Sequence, residues 1–514
     1  MIENKIDSQK RLAKNTLVLY ARSLLTMIIG IYASRVILQI LGVNDYGLYS
    51  LVGGFVGVFQ MVSATFVSST QRAISYEMGK GDICRIRQTF SASIHIHLVL
   101  ILLLLILFET IGLWLLKTKL VIPVGREISA MWLFQCTVIS FLINIMCIPY
   151  NALIIAKEKM SVFAFISIYE SVAKLGILYL LSYSPYDKLS TYAVLLLIIS
   201  LSVRLFWSIY CNIYINESKI IKVTDRTIYK SMTQMSTWIF LGSSASIFTI
   251  YGLNIVINMF FGVAINAAKG IASQIENAIT LLVNNFTMSL KPQITKAYAS
   301  GNMNYMWALV NTGSRMAFFL MAVMVIPIFT VREELLSLWL NDVPLYASSF
   351  LSIVLLYILI GPFKTILDTV LLAEGNVKKW QILSSIIDFS NIPIVFIIYK
   401  AGAAAYQCYT AMLFISMLSL CNRLYFCKKN VSIDITDYLE NVFAKPWGVF
   451  FLSLLISWSI ATIQIDNSMF RIVLIGGTSF FITSLFIYIL GLRTNEREKI
   501  IKIVRSKMNV LCKV

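Results

Sequence analysis

The sequence predicts an all-α polytopic membrane protein with about fourteen transmembrane helices. Of its 514 residues, 58% are hydrophobic and 13% are charged, whereas soluble domains carry about 25% charged residues. Apolar stretches of about twenty residues, long enough to cross roughly 30 Å of hydrocarbon, recur from end to end. The second part of the chain also repeats the pattern of the first. These observations exclude a soluble multidomain protein and a disordered chain.

The predicted spans follow one another with short polar loops between them. The first span follows a basic N-terminus, and this order of a basic and an apolar segment is also that of a signal peptide. Its apolar stretch exceeds a signal core of about 7–15 residues and lacks a small-residue cleavage site, so we expect a retained helix. In chain order the spans are 16–41, 46–70, 88–115, 127–155, 160–182, 189–216, 234–260, 263–290, 304–330, 346–373, 380–400, 402–427, 446–464 and 469–491.

The positive charges of the loops predict the orientation. Segments on the same side as the N-terminus carry 28 Lys and Arg residues, and segments on the opposite side carry 7. Because Lys and Arg concentrate in cytoplasmic loops, both termini are expected in the cytoplasm. The same bias accounts for most of the net charge of +18, so this charge does not indicate a nucleic-acid partner.

A single constant shift along the chain aligns predicted spans one to six with spans seven to twelve. Each half has an even number of spans, so both halves are parallel repeats, which suits rocking around a central cavity. The alternative is a purely structural repeat inherited from a duplication. We expect an N-terminal lobe at 1–230, a C-terminal lobe at 231–430, and spans 13 and 14 with a basic cytoplasmic tail at 431–514. The aligned identities include Gly42 with Gly262, Gly81 with Gly301, and Lys159 with Lys379.

The chain offers little metal or redox chemistry. Its eight cysteines show no CxxC spacing, and most lie in apolar runs, where a free cysteine behaves as a small hydrophobe. The two histidines, His95 and His97, are two residues apart and so point to different sides of a helix. No metal, cofactor or disulfide framework is expected.

Charged residues inside the spans are the candidates for function, because an unpaired charge in hydrocarbon is costly. Glu170 with Lys174, and Lys364 with Asp368, are four residues apart and are expected to neutralise each other. The acids left unmatched are Glu276 and Asp388. Six cations have no partner on their own helix, and one of them, Arg72, lies near the inner end of span two. The six are Arg22, Arg35, Arg72, Arg204, Lys269 and Arg315.

The eighth predicted span is also rich in uncharged polar residues. Such a face is unfavourable against lipid, so we expect it to line a water-filled cavity. With the excess of cations, it predicts a basic chamber for an anionic substrate such as a phosphate or pyrophosphate. The alternative is that each polar residue braces a neighbouring helix. The uncharged polar residues are Gln274, Asn277, Asn284 and Asn285.

Four stretches carry a family resemblance: SRVILQILGVNDYGLYSLVGGF, STQRAISYEMGKGD, PYNALIIAKEKMSVFAFISIYES and INAAKGIASQIENAITLLVNNFTMSLKPQITKAYASGN. They resemble the oligosaccharide flippase (polysaccharide biosynthesis) family. This family belongs to the MOP superfamily, with the multidrug and toxic compound extrusion (MATE) transporters and the lipid II flippases. The segments LGVNDYGLY and NAAKGIASQ with KPQITK are fairly specific to the polysaccharide branch.

The resemblance implies a MATE-like pair of six-helix lobes around a V-shaped cavity, with two extra helices in longer members. It implies a substrate in which a sugar repeat unit is joined through pyrophosphate to a polyprenyl carrier. This substrate is flipped across the bacterial inner membrane for O-antigen, capsule or exopolysaccharide synthesis. In related lipid II flippases, basic residues on helices one, two and eight face the cavity. By position, this implies the same role for Arg22, Arg35, Arg72 and Lys269.

The resulting hypothesis is a flippase that makes and breaks no covalent bond. The cations hold the pyrophosphate, polar groups of span eight contact the sugars, and Glu276 or Asp388 binds a coupling proton or sodium ion. The expected partners are the lipid-linked oligosaccharide, membrane lipids and the polymerase machinery. The role of 446–491 is open, and a groove for the lipid tail is one alternative.

Two other classes compete with this hypothesis. A multidrug or cation antiporter on the same scaffold predicts a pocket dominated by acids. A membrane enzyme, such as a polysaccharide polymerase or a glycosyltransferase, needs a sizeable outer loop or paired acids at the outer surface. The longest outer segment has about fifteen residues, and the adjacent Glu333 and Glu334 belong to an interfacial stretch. These features disfavour an enzyme.

Overall fold

The computed structural model describes residues 2–57, 59–118, 122, 125–340, 343–462, 468–494 and 496–498. These residues form helices joined by short loops, and no strand occurs among them. The predicted all-α class is therefore confirmed. Most of the predicted basic tail, from residue 499 onward, lies outside the described residues.

Most helices coincide with single predicted spans. One long helix runs through spans seven and eight, span two is divided between the first two helices, and a short helix lies between spans nine and ten. Their bounds are α1 (Ile2–Gly57), α2 (Gln60–Lys80), α3 (Ile83–Thr118), α4 (Glu127–Ala156), α5 (Met160–Ser182), α6 (Lys188–Tyr214), α7 (Thr227–Ala299), α8 (Met303–Thr330), α9 (Arg332–Trp339), α10 (Ala347–Glu374), α11 (Val377–Lys400), α12 (Gln407–Val431), α13 (Ile435–Ala461) and α14 (Ser468–Gly491).

Eleven helical segments of the described chain are long and apolar enough to cross a membrane. Predicted spans one, two and eight lie in helices that do not meet this criterion, although Asn15–Gly30 is a shorter apolar helix. Span eight carries Lys269, Glu276 and several amides, which lower its hydropathy. The predicted count of fourteen is therefore not confirmed.

Two glycines interrupt the long helices α1 and α7 at equivalent points of the repeat. Gly42 has φ 76° and ψ 172°, and Gly262, its counterpart in the second half, has φ 78° and ψ −174°. A side chain strongly disfavours this backbone region, so glycine is the residue that permits the break. Gly81 and Gly301, which also correspond in the repeat, both have positive φ at helix ends. The sequence repeat is thus also a repeat of backbone conformation.

Replacing Gly262 with alanine is expected to destabilise the protein by about 1–3 kcal/mol, because alanine must adopt a strained backbone conformation. No atom lies within 4 Å of the added methyl group, so the cost is conformational and not steric. The measurement is thermal unfolding of the purified protein in detergent. Gly270→Ala on the same helix is the control, since its site is also open and alanine favours helix there. Equal stability of the two variants would contradict the assigned strain.

The described chain divides into two compact units. The first comprises Met1–Ser244, Met288–Met306 and Leu372–Ile382, and the second comprises Ala245–Thr287, Trp307–Leu371 and Leu383–Val514. The first unit therefore includes the last part of α7 and the connection between α10 and α11. The lobe boundaries expected from the sequence, 1–230, 231–430 and 431–514, stay a prediction.

An ion cluster stabilises the predicted outer end of the first unit. Arg126, just before α4, pairs with both Asp45 and Asp187. Partial burial raises the pKa of the Asp187 carboxyl, but hydrogen bonds from Ser190, Arg126 and Ser129 outweigh this effect and lower the pKa to about 2. The two carboxylates therefore neutralise the charge of Arg126.

A second cluster stabilises the opposite end of the same unit. Glu158, in the turn after α4, accepts hydrogen bonds from Lys296 at 2.8 Å and Gln293 at 3.2 Å. Its backbone carbonyl accepts a further bond from Asn15 at 3.1 Å. Polar contacts therefore connect the α4–α5 turn both to the end of α7 and to α1.

Candidate functional site

Arg204 is a cation of the first unit that lies against an aromatic ring. It lies inside α6, and its guanidinium carbon is 4.3 Å from the centre of the Tyr150 ring of α4. The negative face of the ring stabilises the cation without using its N–H donors. Within the described chain, the buried Nη1 of Arg204 has no hydrogen-bond acceptor. An arginine in this state has a donor available for water or for an anion.

Arg22 on α1 has a similar aromatic environment. Its guanidinium carbon is 4.8 Å from the centre of the Phe163 ring of α5, and its Nη2 donates to Ser23 Oγ at 3.1 Å. Phe163 in turn contacts Trp207, one turn after Arg204 on α6, with ring centres 6.2 Å apart. The aromatic contact between α5 and α6 therefore lies between the ring that holds Arg22 and the helix that carries Arg204.

Two further predicted cations belong to α1 and α2. The side chain of Arg35 lies outside the described residues. Arg72 donates from Nε and Nη2 to the carbonyl oxygens of Leu372 and Ala373, at 2.7 and 2.6 Å. These oxygens belong to the last turn of α10, where a cation offsets both the unpaired acceptors and the helix dipole. Arg72 thus caps a helix, a structural role that the sequence did not predict.

Arg315 on α8 has a partner that the sequence did not predict. Its side chain is buried, with 4% of the residue exposed, and its Nη2 forms an ion pair with Glu496. Both residues belong to the second unit. Glu496 offsets the charge of Arg315, and the role of Arg315 in the cationic set stays a prediction.

Lys269 lies on the second half of α7, after the break at Gly262. Its Nζ donates to Asn254 Oδ1 on the first half at 2.6 Å, so this contact bridges the break. The residue is 5% exposed, and its charge interacts with that of Glu276. The hydrogen bond to Asn254 satisfies one of the three ammonium donors.

The second unit contains a cavity of about 140 Å³. Glu276 and Lys364 both line it, so an acid and a base face the same space. Ser416 also lines it, and among the described residues its buried hydroxyl has no hydrogen-bond partner. A volume this small suits a proton, water or a small cation. The lining residues are Glu276, Thr280, Val283, Asn284, Thr287, Met321, Tyr357, Ile358, Gly361, Pro362, Lys364, Thr365 and Ser416.

The amides predicted to form one polar lining lie on different faces of α7. Asn284 lines the cavity, eight residues after Glu276, whereas Asn285 is buried outside it. Gln274 and Asn277 are exposed and do not line this cavity. Of the four amides, only Asn284 is therefore grouped with an acid of the predicted site.

Two acids predicted as coupling sites interact with the same aromatic residue. The charges of Glu276 and Asp388 both act on Tyr357, and that of Asp388 also acts on Lys364. Tyr409 Oη donates to Glu276 Oε2 at 3.5 Å. Tyr357 and Tyr409 were not predicted from the sequence, because they are uncharged and lie in apolar runs.

Arg423 lies inside α12, which continues to Val431. Its Nε and Nη2 donate to the two carboxylate oxygens of Asp368 at 2.6 and 3.3 Å. Asp368 therefore pairs with Arg423 and not with Lys364. The predicted Glu170–Lys174 pair is present, at 2.6 Å.

Comparison with known proteins assigns the fold. A MATE protein in complex with MaL6 superposes with a TM-score of 0.69 at 13% identity, covering 83% of this chain and 96% of that chain. A multidrug resistance MATE family transporter in an outward-facing conformation gives 0.70 at 13% identity, with the same coverage. The chain has the MATE transporter fold. Residues 242–397 also match the MatE family model.

A MOP superfamily transporter from Pyrococcus furiosus also superposes on this chain, with a TM-score of 0.70 at 12% identity over 83% of this chain and 96% of that chain. The polarity of the binding pocket of that protein is described as reversed, which suggests a different function for it. A search of curated proteins found no match to this sequence. At these identities the neighbours establish the fold and not the substrate.

The MatE match covers the break at Gly262 and most of the cavity of the second unit. Within the described residues of this MATE-fold chain, no three His, Cys, Asp or Glu side chains group as metal ligands. The arrangement can instead do two things. The arginines of the first unit can attract an anion, and the cavity with Glu276 can hold a proton or a small cation.

Proposed function

We propose that this protein is a flippase that moves a polyprenyl-pyrophosphate-linked oligosaccharide across the bacterial inner membrane by alternating access. The observation that carries the proposal is the state of Arg204. Its guanidinium lies over an aromatic ring inside a membrane helix, with a buried donor that no described acceptor satisfies. A pyrophosphate supplies such acceptors, and arginine binds phosphate oxygens through charge-assisted hydrogen bonds.

Arg22 is the second proposed anion ligand of the first unit, where it lies over Phe163. Within the second unit, Lys269 is proposed as an anion ligand because it retains donors beyond its bond to Asn254. The role of Arg35 rests on the sequence resemblance alone, while the capping contact of Arg72 limits it to a supporting role. Gln274 and Asn277 are exposed on α7 and are proposed to contact the sugars.

The cavity of the second unit is the proposed coupling site. Glu276 can take up a proton or bind sodium there, next to the Ser416 hydroxyl and the Lys364 ammonium. Protonation of Glu276 would change the balance of charge around Lys364 and Asp388, which is the kind of local change that biases a two-state transporter. Both termini are proposed to be cytoplasmic, as the loop charges predict.

A multidrug or cation antiporter of the same fold is the second candidate. It is favoured by Glu276 in a cavity and by the multidrug resistance transporter among the structural neighbours. It predicts that a carboxylate, and not an arginine, contacts the substrate. The two candidates therefore differ in the sign of the charge that the transported molecule must carry.

The experiment is reconstitution of the purified protein into liposomes that contain a fluorescent polyprenyl-pyrophosphate oligosaccharide. A membrane-impermeant quencher reports how fast the labelled sugar changes leaflet. We expect the protein to accelerate this exchange, and to leave unchanged a labelled lipid that carries a neutral diacylglycerol anchor. A parallel set of liposomes is loaded with a lipophilic cationic dye.

Acceleration of the pyrophosphate lipid without dye efflux supports the flippase. Dye efflux driven by a proton or sodium gradient, with no movement of the pyrophosphate lipid, overturns it in favour of the antiporter. Equal acceleration of the neutral lipid would show unspecific leakage of the bilayer and would also contradict the proposal.

A further inference from the structure

A second polar site lies in the first unit, outside the proposed substrate and coupling sites. It is a groove of about 330 Å³ between the start of α7 and the start of α11. The loop charges predict that this end of both helices lies at the cytoplasmic surface. The lining residues are Thr227, Lys230, Ser231, Gln234, Met235, Trp238, Gly375, Asn376, Val377 and Lys378.

The groove is positively charged. Lys230 and Lys378 line it from opposite helices, and neither forms a salt bridge within the described chain. The Lys378 Nζ lies 5.3 Å from the centre of the Trp238 ring. No acidic residue lines the groove. Two ammonium groups therefore face a common space without a protein counter-ion.

The acids closest in sequence have other partners. Asp225 accepts hydrogen bonds from the backbone and hydroxyl of Thr227 and from Arg85. Glu374 accepts from the backbone N–H of Asn376 at 3.0 Å. Both carboxylates thus cap local turns, and neither neutralises the two lysines.

The chemistry of the groove matches a phosphate group at a membrane surface. Lys230 and Lys378 supply charge, and Ser231 and Gln234 supply neutral donors beside them. Trp238 is the type of residue that prefers the level of lipid head groups. The cytoplasmic leaflet is rich in anionic lipid, which attracts lysines near the surface.

We propose that this groove binds the phosphate of an anionic phospholipid head group from the cytoplasmic leaflet. The site goes beyond the proposed transport function; it rests on the proposed cytoplasmic location of both termini and not on the transported substrate. Lys230 belongs to the start of α7 and Lys378 to the start of α11. A phosphate bound to both lysines therefore stabilises the packing of α7 against α11 within the first unit.

The test measures thermal unfolding of the full chain in detergent micelles doped with phosphatidylglycerol, or with phosphatidylcholine of the same acyl chains. We expect phosphatidylglycerol to raise the unfolding temperature more than phosphatidylcholine does. The double variant Lys230→Gln/Lys378→Gln should need about tenfold more phosphatidylglycerol for the same rise. Lys379→Gln, a neighbouring exposed lysine outside the groove, is the matched control.

The outcomes separate the lipid from other phosphate sources. A selective rise that the double variant loses and Lys379→Gln retains supports the proposal. The same rise in all three proteins overturns it, because the effect then comes from unspecific surface charge. The proposal is also overturned if inorganic phosphate in phosphatidylcholine micelles raises the unfolding temperature as much as phosphatidylglycerol does. The same holds if polyprenyl phosphate is the only lipid that raises the unfolding temperature. The flippase proposal is unaffected by any of these results.

Discussion

Replacing Arg204 with alanine is expected to lower the rate of pyrophosphate-lipid translocation by about tenfold or more, while the protein stays folded. A hydrogen bond to a charged group contributes about 1.5–3 kcal/mol, and about 1.4 kcal/mol corresponds to a factor of ten. The guanidinium forms no salt bridge within the described chain, so its removal leaves no paired carboxylate without its partner. The loss should therefore appear in transport and not in stability.

The measurement is the leaflet-exchange rate in proteoliposomes, with thermal unfolding recorded on the same preparations. Arg204→Lys is expected to retain part of the rate, since it keeps the charge but loses the planar fork. Lys174→Gln is the matched control, because Lys174 lies on α5 of the same unit and is paired with Glu170. A normal rate for Arg204→Ala would refute its proposed contact with pyrophosphate.

Breaking the ion pair between Arg423 and Asp368 is expected to destabilise the protein by about 3–5 kcal/mol. Arg423 is 8% exposed and donates to both carboxylate oxygens of Asp368. Replacing Asp368 with asparagine leaves a buried guanidinium without its counter-charge, which is why the expected loss is large. The measurement is chemical or thermal unfolding of the purified protein in detergent.

The matched control is the ion pair between Lys174 and Glu170, which lie one turn apart on the same helix. This pair is more exposed than the pair between Arg423 and Asp368. Glu170→Gln is expected to cost less than about 1 kcal/mol, as exposed pairs do. In the double variant Asp368→Leu/Arg423→Met, both charges are gone, and most of the lost stability should return. Equal destabilisation by Asp368→Asn and Glu170→Gln would contradict the buried pair.

Much of the fold was predictable because it depends on local and periodic information. The positions of the helices followed from apolar stretches of sufficient length. The breaks at Gly42 and Gly262 occupy equivalent positions in the two halves, as the sequence repeat indicated, and glycine permits both. The Glu170–Lys174 pair was predictable because residues four apart are neighbours on any α-helix.

The candidate site was predictable only in part. Periodicity identifies which residues are buried, but the partner of a buried charge comes from another helix. The carboxylate that pairs with Arg315 belongs to Glu496, 181 residues away in the sequence. The carboxylate that pairs with Arg423 belongs to Asp368, 55 residues away. No local pattern encodes these distances along the chain. The aromatic rings beside Arg22 and Arg204 were missed for the same reason.

By itself, the sequence determined that this protein is a duplicated bundle of membrane helices carrying buried cations, since hydropathy and repetition are properties of the chain. Only the tertiary structure decided what those cations do. It paired Arg315 with an acid, used Arg72 to cap a helix and left Arg204 over an aromatic ring. The physical reason is that a charge in a low-dielectric interior depends on the groups within a few ångströms, and packing brings these together from distant parts of the chain.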